Sequence, residues 1–198
     1  IRKGDPRADN LARRMVRKVL AAVDQEGVID LGVLSPNVSE YTDQPHQEGR
    51  AVDALVRLFR VNGDEAALDL ADRMTRFALA RCFAEEGSIR EEAGTHGHSI
   101  NAMVAGMADL ALLTGDADRL LRIKAIYDVG LPRFNSSFGW SQEALNRYNL
   151  RGESNNTGDL LRLALAEDPR DHRPDLGLGL EESLAAPRDP DLVDHTPA

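Results

Sequence analysis

Gly97-His98-Ser99-Ile100-Asn101-Ala102-Met103-Val104-Ala105-Gly106-Met107-Ala108-Asp109-Leu110-Ala111-Leu112-Leu113-Thr114-Gly115-Asp116 decides the fold of this chain. Ile100, Met103, Val104, Met107, Leu110 and Ala111 recur at intervals of three and four, the period of an amphipathic helix. The spacing predicts a helix over about 99–113. Gly115 suits the left-handed position just past a helix end, and Asp116 suits the N-cap of the next helix. Gly63-Asp64 repeats this punctuation 52 residues earlier. At that offset Val52 falls on Val104, Leu55 on Met107, Leu58 on Leu110, Val61 on Leu113 and His46 on His98. A third copy aligns Val56-Arg57-Leu58 with Leu161-Arg162-Leu163 and places Glu48 on Glu153. A helical hairpin repeated about every 50 residues accounts for all three.

Outward from this repeat the same reading gives six helices. Helix one, about 9–24, carries Ala12, Met15, Val16, Val19, Ala22 and Val23, and Gly4-Asp5 precedes it as the Gly-Asp pairs precede later helices. Helix two spans about 49–61, helix three about 65–82 and helix four about 99–113. Helix five spans about 117–128 and helix six about 155–166. The fold class expected is all-α, with α/α hairpins forming part of an (α/α) toroid. Residues 1–168 make the helical domain. Residues 169–198 hold five of the nine prolines with many Asp and Arg and read as an irregular tail. Connections at Gly-Asp are one to three residues long. The opposite ones, about 25–48, 83–98 and 129–154, are long and gather on one rim, where function sits on a repeat scaffold.

Composition narrows the function classes. Acids outnumber bases 33 to 24 for a net charge of −9, and no Lys/Arg cluster offsets it, which argues against nucleic acid as a partner. The basic residues are nearly all Arg, lysine being confined to Lys3, Lys18 and Lys124, a mark of bacterial-like genome composition. No apolar run approaches the roughly 18 residues of a membrane span, so no membrane partner is expected. Cys82 is the only cysteine, so neither an intrachain disulfide nor a cysteine zinc site can form. The lack of disulfides and of a leader pattern favours the cytoplasm, although a start at Ile1 rather than Met points to a missing or processed N-terminus.

The long-connection rim holds the candidate chemistry. Glu48 and Glu153 occupy equivalent repeat positions. Paired carboxylates across a cleft suit acid/base catalysis at a glycosidic bond, and they are the candidate catalytic pair. Taken singly, each is equally well read as an acid at a helix N-terminus. The expected saccharide contacts are His46, His96, His98, Asn101, Trp140, Glu143, Asn155 and Asn156. The indole of Trp140, the only Trp, offers an apolar face on which a sugar ring stacks, or else plugs its loop onto the helices. His96 and His98 form an H-x-H pair that an extended loop would point the same way, toward a metal or toward neighbouring backbone. A single substrate-contacting His is the expected reading, with no metal and no cofactor. Asn155 and Asn156 also read as helix caps, and Asp159, one turn on, is placed to hold the Asn155 amide.

The hairpins Gly49-Arg50-Ala51-Val52-Asp53-Ala54-Leu55 through Asp64, and Gly97-His98-Ser99-Ile100-Asn101 through Asp116, resemble the (α/α) toroid of carbohydrate-active enzymes. Gly152-Glu153-Ser154-Asn155-Asn156-Thr157-Gly158-Asp159-Leu160-Leu161-Arg162-Leu163-Ala164 resembles the helix-start motif in relatives of the glycoside hydrolase family 127 β-L-arabinofuranosidases. The resemblance covers roughly residues 5–167 and implies a carbohydrate-active, glycoside hydrolase-like protein. It departs at the chemistry. That motif carries cysteines in the family, where a cysteine nucleophile works beside a zinc, and Asn155 and Asn156 stand here where a Cys would be expected. A thiolate–zinc mechanism has no residues in this chain, so hydrolysis would fall to carboxylates, His or Tyr. Polysaccharide lyases on toroids use Tyr, His and Asn, the types found at Tyr41, His98, Asn101 and Asn155. The alternatives are a lyase-like or inactive toroid fragment and a non-catalytic αα-repeat module that binds protein. Three hairpins do not close a ring, so an apolar helical flank is expected to need a second copy of the chain or a missing half-domain.

Overall fold

A computed structural model describes residues 5–30, 51–134, 140–144, 152 and 154–166. Among these the chain is helical, with no strand or sheet and only isolated β-bridges. The α-helices are α1 (Pro6–Leu20), α2 (Ala51–Asn62), α3 (Glu65–Cys82), α4 (Gly97–Thr114), α5 (Ala117–Ala125) and α6 (Ser154–Ala166).

The Gly-Asp turns form as their chemistry requires. Gly63 and Gly115 have φ of 67° and 68°, the left-handed region that glycine enters without a Cβ penalty. The Asp64 carboxylate accepts from the Ala66 N–H and that of Asp116 from the Arg119 N–H, so each satisfies a donor at the start of its helix. Asp5 does the same at α1, accepting from the Arg7 N–H, and Pro6 takes the first helical position.

The helices pack in two layers. The inner helices α2, α4 and α6 lie side by side, and α3 and α5 pair with α2 and α4 as outer helices. α4 is central among the described helices, buried almost all round from Gly97 to Ala111. Gly106 lets it approach α2, because a Cβ there would come within 2.7 Å of the Asp53 amide nitrogen. Leu70, Met74, Met103, Met107, Leu110 and Leu163 interlock from both layers in one continuous core. No helix among the described residues is long and apolar enough to cross a membrane.

Two helices differ from the sequence reading. α1 stops at Leu20, short of 24, because the chain turns back into a tight hairpin in which Val23 pairs with Ile29. Met15, placed in the helix-one core by periodicity, is exposed. Helix five leaves α-geometry at Ala125 and continues as a π-turn (Ile126–Gly130) and a 3-10 turn (Leu131–Phe134). The change falls where another hairpin, Phe83 paired with Ile89, lays Gly87 against the Ala125 carbonyl.

These two hairpins are themselves a repeat that helical periodicity does not reveal. Asp24 N–H donates to the Val28 carbonyl at 3.1 Å and Asp30 N–H to that of Ala22 at 2.7 Å. Ala84 to Ser88 and Arg90 to Cys82 are the matching bonds, both at 2.9 Å. Gly27 and Gly87 have φ of 94° and 100°, and each rests on the backbone of the next outer helix, at Arg73 of α3 and at Ala125 of α5. α1 therefore stands to α3 as α3 stands to α5, and is an outer helix.

Candidate functional site

The N-termini of α4 and α6 meet, and the side chains there form a polar cluster. His98 lies in the first turn of α4 and is buried. Its Nε2 is 3.0 Å from Asp159 Oδ2 of α6, and its Nδ1 is 3.1 Å from the Asn155 side-chain amide. The two ring nitrogens therefore face a carboxylate on one side and an amide on the other. Asp159 thus faces the His98 ring, where sequence reading placed it against the Asn155 amide. Burial pushes the Asp159 carboxyl above its ordinary value, opposed by His98 and Arg162.

A second layer lies beneath. Asn101 and Asn156 are fully buried, and the Asn101 amide donates to Asn156 Oδ1. The Asn156 amide in turn donates to the Gln142 carbonyl at 2.7 Å. Gln142 N–H donates to the Phe134 carbonyl at 2.7 Å, and Gly97 N–H to that of Glu143 at 2.7 Å. These bonds strap residues 140–144 across the start of α4. Expected as saccharide contacts, Asn101 and Asn156 are instead enclosed by protein, with no exposed surface. Asn155 is exposed, so its side chain reaches solvent while one end is held by His98.

His96 is the N-cap of α4. Its Nδ1 accepts from the Ser99 N–H at 3.2 Å and lies 2.7 Å from the Ser99 hydroxyl. The H-x-H pair is not an extended segment, since His98 is already helical. The two rings stand edge to face, 6.2 Å apart at an interplanar angle of 65°. Among the described residues no three His, Cys, Asp or Glu side chains gather closely enough to hold a metal. Cys82 is buried at the end of α3.

Trp140 sits at the rim, 38% exposed. Its indole edge lies on the backbone of Gly152, in space that any side chain at 152 would fill. It therefore packs on the Gly152 backbone while part of the side chain reaches solvent. Glu143 is half-buried and contributes its carbonyl to the strap. His46, Glu48 and Glu153, together with Tyr41, Phe138 and the tail 169–198, lie outside the described residues.

A charged belt adjoins the cluster. Arg162 of α6 lies 3.3 Å from both Asp53 of α2 and Asp109 of α4, and Arg57 bonds Asp53 at 2.8 Å. Burial raises the Asp109 carboxyl above its ordinary value, with Arg162 the chief opposing charge. Arg57, Asp109 and Arg162 share one column of the 50-residue repeat. The alternation of charge in that column is the sequence signal of an inter-helix ion network, and it lies beside the apolar positions that set the helical period.

Compared with models of known protein families and with curated proteins, the chain matches none.

Proposed function

We propose that the hairpin repeat is part of an (α/α) toroid of the carbohydrate-active kind. In this reading its long-connection rim binds a saccharide at the N-termini of α4 and α6. The observation that carries the proposal is His98 held between Asp159 and Asn155, with the partly exposed Trp140 on the same rim. The arrangement holds one exposed amide on a buried His98 that Asp159 backs, with a partly exposed indole on the segment packed across the start of α4. Directional polar contacts beside a stacking surface are what recognition of a hydroxylated ring requires. Asn155 and Trp140 are the contact residues, and His98 and Asp159 orient Asn155. Asn101 and Asn156 secure the loop. If the chain hydrolyses its ligand, Glu153 and Glu48 are the carboxylates for the acid/base steps.

The test is thermal unfolding of the chain against neutral and uronic saccharides. A ligand specific to the folded state adds about 2.7 kcal/mol at a hundred times its dissociation constant. The expected result is a shift with one sugar class that Asn155→Ala or Trp140→Ala removes and Asp159→Asn weakens. A melt that no saccharide moves would overturn the proposal.

A further inference from the structure

The repeat predicts what should cover each position of each helix, and two helices lack their cover. Val56 of α2 and Ala108 of α4 are fully buried, at 0% exposure. The residue in the same column of α6 is Leu161, which is 63% exposed. Counting from the N-caps Asp5 and Asp64, Leu11 and Met15 of α1 fall on Leu70 and Met74 of α3. Leu70 and Met74 are fully buried, whereas Leu11 and Met15 are 55% and 61% exposed. Each of these side chains is large and apolar, at a column that the fold elsewhere encloses.

The two open faces are complementary in kind. α2 and α4 are inner helices, each paired with an outer helix, α3 or α5. α6 is an inner helix with no outer partner among the described residues. α1 is an outer helix, as its hairpin on α3 shows, and no described inner helix pairs with it in the way that α2 pairs with α3. One end of the arc needs the type of helix that the other end supplies.

We propose that the chain associates head to tail with a second copy of itself. α6 of one copy packs against α1 of the other, and Leu161 covers Leu11 and Met15. A two-fold pair makes this contact twice, creating two composite inner–outer hairpins alongside the two intact ones of each copy. Each copy offers the same patch, α1 and α6 together, so the interface is isologous and closes as a dimer without growing into a filament. The proposal rests on the burial columns alone and is independent of saccharide binding.

Light scattering after size exclusion tests it. The expected mass is twice 21.7 kDa. Leu161→Glu, and separately the double change Leu11→Glu with Met15→Glu, should each convert the dimer to monomer with an unchanged helical circular dichroism spectrum. Both sites are exposed in the single chain, so the changes spare its fold. Mixing the two variants should restore dimer, because one of the two contacts is then built from unaltered faces. A dimer indifferent to both variants would overturn the proposal. So would a wild-type monomer at all concentrations, including one whose melting temperature falls with Leu161→Glu, since a segment of the same chain would then cover α6.

Discussion

The two kinds of turn in this repeat look alike in conformation and differ in what surrounds them. Gly63 and Gly115 close inner helices, Gly27 and Gly87 sit in the hairpins that follow outer helices, and all four have positive φ. Around Gly63 and Gly115 there is open space: no atom lies within 4 Å of where a Cβ would be. At Gly27 a Cβ would come 2.6 Å from the Arg73 carbonyl oxygen, and at Gly87 it would strike the Ala125 carbonyl. The first pair of glycines serves the backbone alone. The second pair also docks one hairpin onto the next, so it joins repeats that the Gly-Asp turns merely separate.

The comparison is broken most severely by Gly87→Ala. Left-handed strain and a backbone collision act together there, and the expected loss is about 3 kcal/mol, read as a fall of roughly 6–12 °C in melting temperature. An unchanged melt would show that the hairpin does not press on α5. Next comes Asn156→Ala, which strands the buried Asn101 amide and the Gln142 carbonyl. About 2–3 kcal/mol should be lost in urea unfolding, and Trp140 fluorescence should shift as the strap loosens. Gly115→Ala isolates the left-handed conformation in open space, so its cost should be only about 1 kcal/mol. Equal losses at Gly87 and Gly115 would erase the distinction between the two turns.

The smallest effect concerns pH at Asp109. Burial raises its carboxyl above 3.8. The folded state therefore keeps the proton over a range in which the unfolded chain has released it. Stability from this group falls as pH rises from the ordinary carboxylate value to the raised one, and is level above it. Asp109→Asn should flatten that segment of the stability–pH curve relative to wild type. A difference curve that instead rises with pH across this range would place Asp109 in a net-favourable ion pair.

Legibility in the sequence followed the range of the forces. Helix three was readable to the residue at both ends, 65–82, because Asp64 caps it locally and its apolar period is unbroken. Helix one ends before its apolar period does, because pairing of Val23 with Ile29, not local propensity, ends it. Residues 21–30 and 81–90 share a glycine and an isoleucine at matching places, a signal present in the sequence but lacking helical period. At the site, the residue types were legible and their partners were not. Asn155 and Asn156 are neighbours with opposite fates, one exposed and one fully buried, because successive helical positions point to different faces.

The sequence by itself determined the all-α class, the Gly-Asp punctuation and the roughly 50-residue period, since caps, left-handed glycines and apolar spacing act within a few residues. Only the tertiary structure decided that His98 lies between Asp159 and Asn155, that Arg162 bridges two helices, and that Leu161 remains bare where Val56 and Ala108 are enclosed. Those outcomes depend on which helix ends meet and which neighbours the described residues provide, and the periodicity of any single helix carries neither.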